Sequence, residues 1–389
     1  MAVMDHLFIK RTCPNCIQSI YPGDCDIVSV NIDPKTNTNK ILVKAPESGL
    51  KRQYARINPQ PIVGRLVLES AHRKCPHCGY LLPTNIEQVE NINIAVVGDT
   101  FSGKSSYIAA IIRQIRQGDL QRADRYARFD CLTQDVESTY IREVIAPLFE
   151  QKQAPLATQP ASPLDTSRPP LIYELILSPG PDYPARRINL ILYDASGEDL
   201  AVKERMVQFS RYVLNASAII FLADPVSMPQ IFDQLPPFLQ RKGSAAQGRT
   251  SSSVLNSIIR LVEDYRGVGA GARLSSTPIA INVTKSDLLK QLTALQYQYH
   301  FLKRPTYNGV VDLKDLDIVN GEVRHLLQEY GEHTLLQSTQ NFSKVRFFAT
   351  SATGYSPDSN DRYPAVEPCR CLDPILWILY EKQILQVTQ

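Results

Sequence analysis

The chain lacks the bulk features of a membrane protein or a nucleic-acid coat. No apolar run reaches the roughly 18 residues that suggest a spanning helix, so no membrane insertion is expected. Formal net charge is only +3 over 389 residues, too little to attract nucleic acid or an acidic surface by itself. The opening stretch, Met1-Ala-Val-Met-Asp-His6, lacks the basic-then-apolar order of a secretory leader. A cytoplasmic setting is the expectation, and thiols stay reduced there. No internal repeat is visible. A hydrophobic content of 43% and a charged content of 21% describe a globular chain, long enough for one large domain and a smaller one.

One segment carries the most information. Gly98-Asp99-Thr100-Phe101-Ser102-Gly103-Lys104-Ser105 is a complete G-x-x-x-x-G-K-S phosphate loop. A strand-like run, Ile92 to Val97, precedes it, and a helix-like run from Ser106 to Ile112 follows. Gly98 and Gly103 let the backbone approach a polyphosphate, and the helix start aims free N–H groups at it. Lys104 brings a fixed positive charge to the outer phosphates, and Ser105 offers a hydroxyl to Mg2+.

Eight cysteines are present, and four fall in two matching pairs. Cys13-Pro-Asn-Cys16 and Cys75-Pro-His-Cys78 are both C-P-x-C, a zinc pattern in a reduced compartment. Two residues between thiolates let both sulfurs face one tetrahedral metal, and Gly79 suits the exit from the second turn. One Zn2+ shared by Cys13, Cys16, Cys75 and Cys78 is expected to clip a small β-rich module. Cys25, His72 and His77 lie close in sequence and are taken as bystanders. Cys131, Cys369 and Cys371 are expected to be buried small hydrophobes.

Composition divides the chain into a zinc-ribbon-like module over 1–88 and a phosphate-loop domain over 89–389. In the module, Ile27–Ile32 and Ile41–Lys44 alternate as strands do. Up to Leu82 there are eleven Lys/Arg against six Asp/Glu. That mild surplus leaves a nucleic-acid partner open but favours a protein-docking or structural role. Beyond residue 90, strands are predicted at 91–97, 171–178, 187–194, 217–223, 278–283 and 345–350. Helices are predicted after Lys104, Glu198, Ser252, Ser286, Asp317 and Asp373. Apolar runs such as Ala218–Ala223 suit strands covered on both faces. The fold class is α/β, a doubly wound, mostly parallel sheet of phosphate-loop type, beside the β-rich module. Asp373 is expected to cap a closing helix with Pro374 in its first position and Trp377 in the core. Gln151–Pro170 and Lys242–Ser253 are expected to be loops.

Four later segments choose the base. Leu190 to Glu198 ends a strand in D-x-x-G, where Asp194 would hold Mg2+ opposite Ser105 and the N–H of Gly197 would sense the γ-phosphate. In Thr284-Lys285-Ser286-Asp287, the Asp287 carboxylate would accept from guanine N1 and N2, a donor pair adenine lacks. Lys285 would lay its stem along the base. In Ser351-Ala352-Thr353, the Ala352 N–H would reach guanine O6. A threonine should complete the Mg2+ shell, and Thr158 and Thr166 both qualify. Ser106, beside Ser105, belongs to the same phosphate cradle.

The ordered set GDTFSGKS, DASGE, TKSD and SAT is similar to the translation-factor and Ras-like (TRAFAC) class of GTPases over roughly residues 90–385. The layout also resembles a bacterial group, the double-GTPase type linked to conflict systems. The cues are Cys75-Pro-His-Cys-Gly-Tyr-Leu-Leu-Pro83 before the phosphate loop and Asp373-Pro-Ile-Leu-Trp377 near the end. The resemblance implies GTP/GDP, Mg2+, a protein partner or effector, and leaves a homodimer across the nucleotide open. Two departures stand out. Thr284 replaces the usual Asn, which weakens the tie to the phosphate loop. Glu198 stands where Ras-like enzymes carry the Gln that orients water, and Asp199 adds further negative charge. Slow hydrolysis is therefore expected unless a partner supplies a cation. Arg186, Arg187 and Lys203 are nearby cations, most simply solvated. The expected function is a Mg2+-dependent GTP switch. The alternative is a nucleotide-gated scaffold without useful turnover, whose zinc module binds the partner.

Overall fold

The structure, a computed structural model, describes residues 6–33, 38–45, 71–99, 101–123, 127–155, 169–178, 185–194, 212–240, 250–266, 277–292, 299–307, 309–358, 360, 362–385 and 387–388. The chain divides into two compact units, 1–92 with 187–191, and 93–186 with 192–389.

In the first unit, β1 (Arg11–Thr12) and β2 (Ser19–Ile20) form a two-stranded antiparallel ribbon. A three-stranded antiparallel sheet has the order β4 (Thr38–Val43), β3 (Asp26–Asp33), β5 (Ala71–Lys74). One cluster of buried residues in this unit gathers Ile20, Leu82 and Ile86 with Cys13, Cys25 and Cys75.

A seven-stranded, mostly parallel sheet is built from β6 (Glu90–Gly98), β7 (Ala127–Cys131), β8 (Leu171–Leu177), β9 (Arg186–Asp194), β10 (Ala218–Ala223), β11 (Ile279–Val283) and β13 (Val345–Ala349). Its order is β13-β11-β10-β6-β9-β8-β7. The pairs β6–β10, β10–β11 and β11–β13 are parallel. The continuous apolar runs are buried on both faces: every residue of β10 and β11 is buried. A further short ribbon pairs β12 (Val311–Asp312) with β14 (Val387–Thr388).

The mixed α/β class with a mostly parallel seven-stranded sheet agrees with the sequence expectation, and its details bring five corrections. β7 was not foreseen. It is an edge strand, antiparallel to β8, and its alternating burial leaves Arg128 and Asp130 exposed and paired with each other at 3.2 Å. Charges on a short edge strand mask its apolar signal. The expected loop 242–253 runs too far, because a helix begins at Ser251. The helix expected after Asp317 begins at Leu313, where the Asp312 carboxylate accepts from the Asp315 N–H. Asp373 does not cap the last helix. It is the first helical residue, its carboxylate bonds Arg370 at 2.8 Å, and burial pushes its pKa up to about 6 despite that partner. Trp377 is buried and packs against Phe348, with ring centroids 5.8 Å apart. Cys369 and Cys371 are buried, whereas Cys131 is half-buried. No described helix is long and apolar enough to cross a membrane.

Candidate functional site

The parallel register gathers the predicted loops. Gly98 at the end of β6 lies opposite Leu222 of β10, Ala223 opposite Val283 of β11, and Val283 opposite Ala349 of β13. The loops after all four strands therefore leave from one edge, the carboxyl end of an open parallel sheet, where such folds bind ligands. Neighbouring strands are about 4.8 Å apart, so the ends of β6 and β11 are separated by roughly 10 Å, a span a nucleotide can bridge.

The phosphate loop turns at Gly103, whose φ of 84° favours glycine and which precedes the helix Lys104–Arg116. Gly98 has a different reason to be glycine. A Cβ there would lie 2.7 Å from Ser102 Oγ and 2.8 Å from the Leu222 carbonyl oxygen, so it is close packing against β10 that excludes a side chain. Lys104 Nζ donates to the Gly98 and Asp99 carbonyls at 3.0 and 2.7 Å, which holds the ammonium inside the loop. Asp99 and Ser102 are buried, and Ser105 and Ser106 are half-buried on the first helical turn. Tyr140 Oη donates to the Ser105 carbonyl at 2.9 Å. Phe101 is half exposed and has φ 69°, a left-handed conformation that costs a bulky residue roughly 1–2 kcal/mol. Thr100, Thr158, Thr166, Gly197 and Glu198 lie outside the described residues, and Asp194 is described only as the last residue of β9.

The loop after β11 is fixed from its neighbours. Thr284 donates its N–H and its hydroxyl to the Ala223 carbonyl, at 2.9 and 3.3 Å. The hydroxyl that replaces the usual amide is thus bonded to the end of the adjacent strand. Lys285 sits at φ 50°, and its ammonium bonds Asp224 Oδ2 at 2.8 Å. Asp224 is wholly buried and also accepts from the Val226 N–H at 3.0 Å. Asp287 is buried, with Ser351 Oγ donating to Oδ1 at 2.5 Å and Ser356 Oγ donating to Oδ2 at 3.1 Å. Ala352 is half-buried in the same turn. Asp224 and Ser356 were not singled out in the sequence. Asp224 had a usable signal, an Asp-Pro directly after a buried strand, whereas Ser356 had none.

The cysteine pairs form a second site. All four sulfurs of Cys13, Cys16, Cys75 and Cys78 lie within 4.8 Å of one another, with Cys13–Cys78 at 3.8 Å and Cys16–Cys75 at 3.7 Å. A disulfide needs about 2.0 Å, so these are not bonded sulfurs. Four thiolates about 2.3 Å from one tetrahedral zinc stand about 3.8 Å apart, which fits. The two turns share one design. Ile17 and Gly79 donate N–H bonds to the Cys13 and Cys75 carbonyls, both at 3.0 Å, while Cys13 and Cys75 donate to Gln18 and Tyr80, both at 2.9 Å. Ile17 and Gly79 occupy the same place with φ 60° and 74°. Hydrogen bonds from Cys13 and Cys16 draw the Cys75 thiol down. Burial pushes Cys25 up to about 12, and its Sγ donates to the Tyr21 carbonyl. His72 and His77 ring nitrogens contact the Leu82 and Ser19 carbonyls. None of these three belongs to the four-sulfur group.

Residues 92–354 match the model of the Double-GTPase 2 family, more than half of the chain. The chain belongs to that family. A curated relative, the putative ESX-1 scaffolding and assembly protein SaeC of Mycolicibacterium smegmatis, is 26% identical over 323 residues, covering 78% of each chain. Among solved structures, the signal recognition particle receptor SRb-GTP/SRX complex of Chaetomium thermophilum is similar over 69% of this chain and 94% of that one, at 14% identity and TM-score 0.28. The GTP-bound Ski7 GTPase-like domain of S. cerevisiae is similar over 77% of this chain and 51% of that one, at 11% identity and TM-score 0.30.

Proposed function

We propose that this double-GTPase family member is a Mg2+-dependent GTP switch with slow intrinsic hydrolysis, coupled to a protein partner. The observation that carries the reading is the shared sheet edge. It puts Lys104 in its loop two strands from a buried carboxylate, Asp287, whose bonds within the described residues come only from hydroxyls. Lys104 and the amides of Gly98–Ser106 bind the β- and γ-phosphates. Ser105 and Asp194, with Thr158 or Thr166, would hold Mg2+, which supplies charge neutralisation at the phosphates when bound. Asp287, Lys285, Thr284, Ser351 and Ala352 read the guanine. Gly197 would report the γ-phosphate, and Glu198 would take the place of the residue that orients the attacking water. A carboxylate there adds negative charge beside a phosphoryl group in transfer, which keeps turnover low until a partner brings a cation.

The proposed domains are 1–88, holding one zinc, and 89–389, the GTPase, in a cytoplasmic protein. SaeC bears a scaffolding and assembly description, and that supports a protein partner here. It also favours a second reading, in which nucleotide gates a scaffold that does not turn over usefully.

Titration with fluorescent guanine and adenine nucleotides tests the base. GTP is expected to bind at least about 100-fold tighter than ATP, since adenine would leave one acceptor site unfilled on each buried Asp287 oxygen; equal affinity overturns the reading. Single-turnover phosphate release, with Lys104→Ala as control, separates the switch from the scaffold. Slow release that the control abolishes is expected, and no release above the control selects the scaffold.

A further inference from the structure

The turn carrying Ser351 is built with unusual constraint. Ser351 and Cys369 exchange backbone hydrogen bonds at 3.1 and 2.8 Å, and the Glu367 N–H donates to the Thr353 carbonyl at 2.7 Å. Gly354 between them has φ 75°, and a Cβ there would stand 2.3 Å from the Glu367 carbonyl oxygen, so only glycine fits. The Gly354 N–H donates to Ser351 Oγ at 2.7 Å, which commits the single Ser351 proton to Asp287. Thr353 Oγ1 donates to the Tyr355 carbonyl at 3.0 Å and turns the chain back, bringing Ser356 Oγ to the other carboxylate oxygen. The supporting segment is itself pinned. Arg370 is buried and bonds Asp315 at 2.7 and 2.9 Å and Asp373 at 2.8 Å, and its Nε donates to the Lys303 carbonyl at 2.9 Å.

An ionised carboxylate offers about four lone-pair sites, two on each oxygen. Ser351 takes one site on Oδ1 and Ser356 takes one on Oδ2, and no other bond to the Asp287 carboxylate is present among the described residues. One acceptor site remains on each oxygen. That pattern matches the two adjacent N–H groups on one edge of guanine. A carboxylate held by one oxygen pivots about its χ2 torsion, which is broad for Asp; one held at both oxygens does not.

We propose that Ser356 is a specificity-determining positioning residue, closing with Ser351 a two-serine clamp that fixes the Asp287 carboxylate in the orientation both guanine donors require. The inference rests on the reading of Asp287 as the base reader and names the residue that sets its angle. Ser356 itself touches no nucleotide. It acts through Asp287.

The test compares GTP with ITP, whose base lacks the exocyclic amine and so one of the two donors. Kd values for both are measured with the full-length wild type, Ser356→Ala, Ser356→Thr and Asp287→Asn, alongside thermal melts. In Ser356→Ala, GTP affinity is expected to fall about ten- to a hundred-fold, the scale of one hydrogen bond to a charged group. The GTP/ITP affinity ratio is expected to shrink at least about threefold, since a swinging carboxylate loses its second contact first. Ser356→Thr keeps the hydroxyl and restores the ratio. A loosened turn would instead lower the melting temperature and weaken both nucleotides equally. An unchanged ratio in Ser356→Ala, or a Thr variant that behaves like Ala, overturns the clamp. If wild type and Asp287→Asn bind GTP alike, the base reading itself falls, a result distinct from failure of the clamp alone.

Discussion

Asp287→Asn should bind GTP roughly 100- to 10,000-fold more weakly than wild type, taking about 1.5–3 kcal/mol for each of two hydrogen bonds to a charged acceptor. The same variant should gain affinity for XTP. An amide presents one acceptor and one donor where the carboxylate presents two acceptors. Xanthine carries a carbonyl where guanine carries the exocyclic amine, so the new donor meets a new acceptor. The surroundings of Asp287 favour a clean result. Ser351 and Ser356 are hydroxyls, which can donate to or accept from an amide, so the substitution leaves no buried group stranded beside it. Competition binding with GTP, XTP and ATP reads the outcome. A variant whose GTP affinity matches wild type would remove Asp287 from the base site.

Removing the metal from the four-cysteine group should unfold the first unit. The chain as purified is expected to carry one zinc, released on chelation together with the amide protection of residues 11–33 and 71–82. Cys13→Ser should bind zinc far more weakly and lose the same protection at rest. The scale is large because structural zinc contributes about 10 kcal/mol or more of apparent binding energy to small domains that do not fold without it. Cys13 and Cys75 are both buried and belong to an apolar cluster with Ile20, Cys25, Leu82 and Ile86. Metal analysis combined with hydrogen exchange checks the result. A chelated protein that keeps full protection of those segments would show that the apolar core suffices without a clip.

The α/β class, the phosphate loop and the paired C-P-x-C turns were legible because each is local. A glycine at φ 84° before a helix, or two thiols two residues apart, needs only a few consecutive residues to have physical meaning. Long apolar runs such as Ala218–Ala223 announced doubly covered strands for the same reason. β7 escaped because one face of an edge strand meets water and its charges hide the pattern. The start of the helix at Ser251 was obscured by a serine-rich stretch. There the Ser251 hydroxyl bonds Ser227 at 2.8 Å, a partner 24 residues away.

The sequence alone determined which chemistry the chain can present: a lysine and amides for phosphate, a carboxylate for two donors, four sulfurs for one metal. These follow from residue type and short spacing. Only the tertiary structure decided how those groups are aimed. Gly98 is glycine because β10 lies against it, Lys285 is turned towards Asp224 across 61 residues, and Asp287 is held by serines 64 and 69 residues away. Orientation depends on contacts between strands that are neighbours in the sheet and distant in the chain, and no local pattern encodes them.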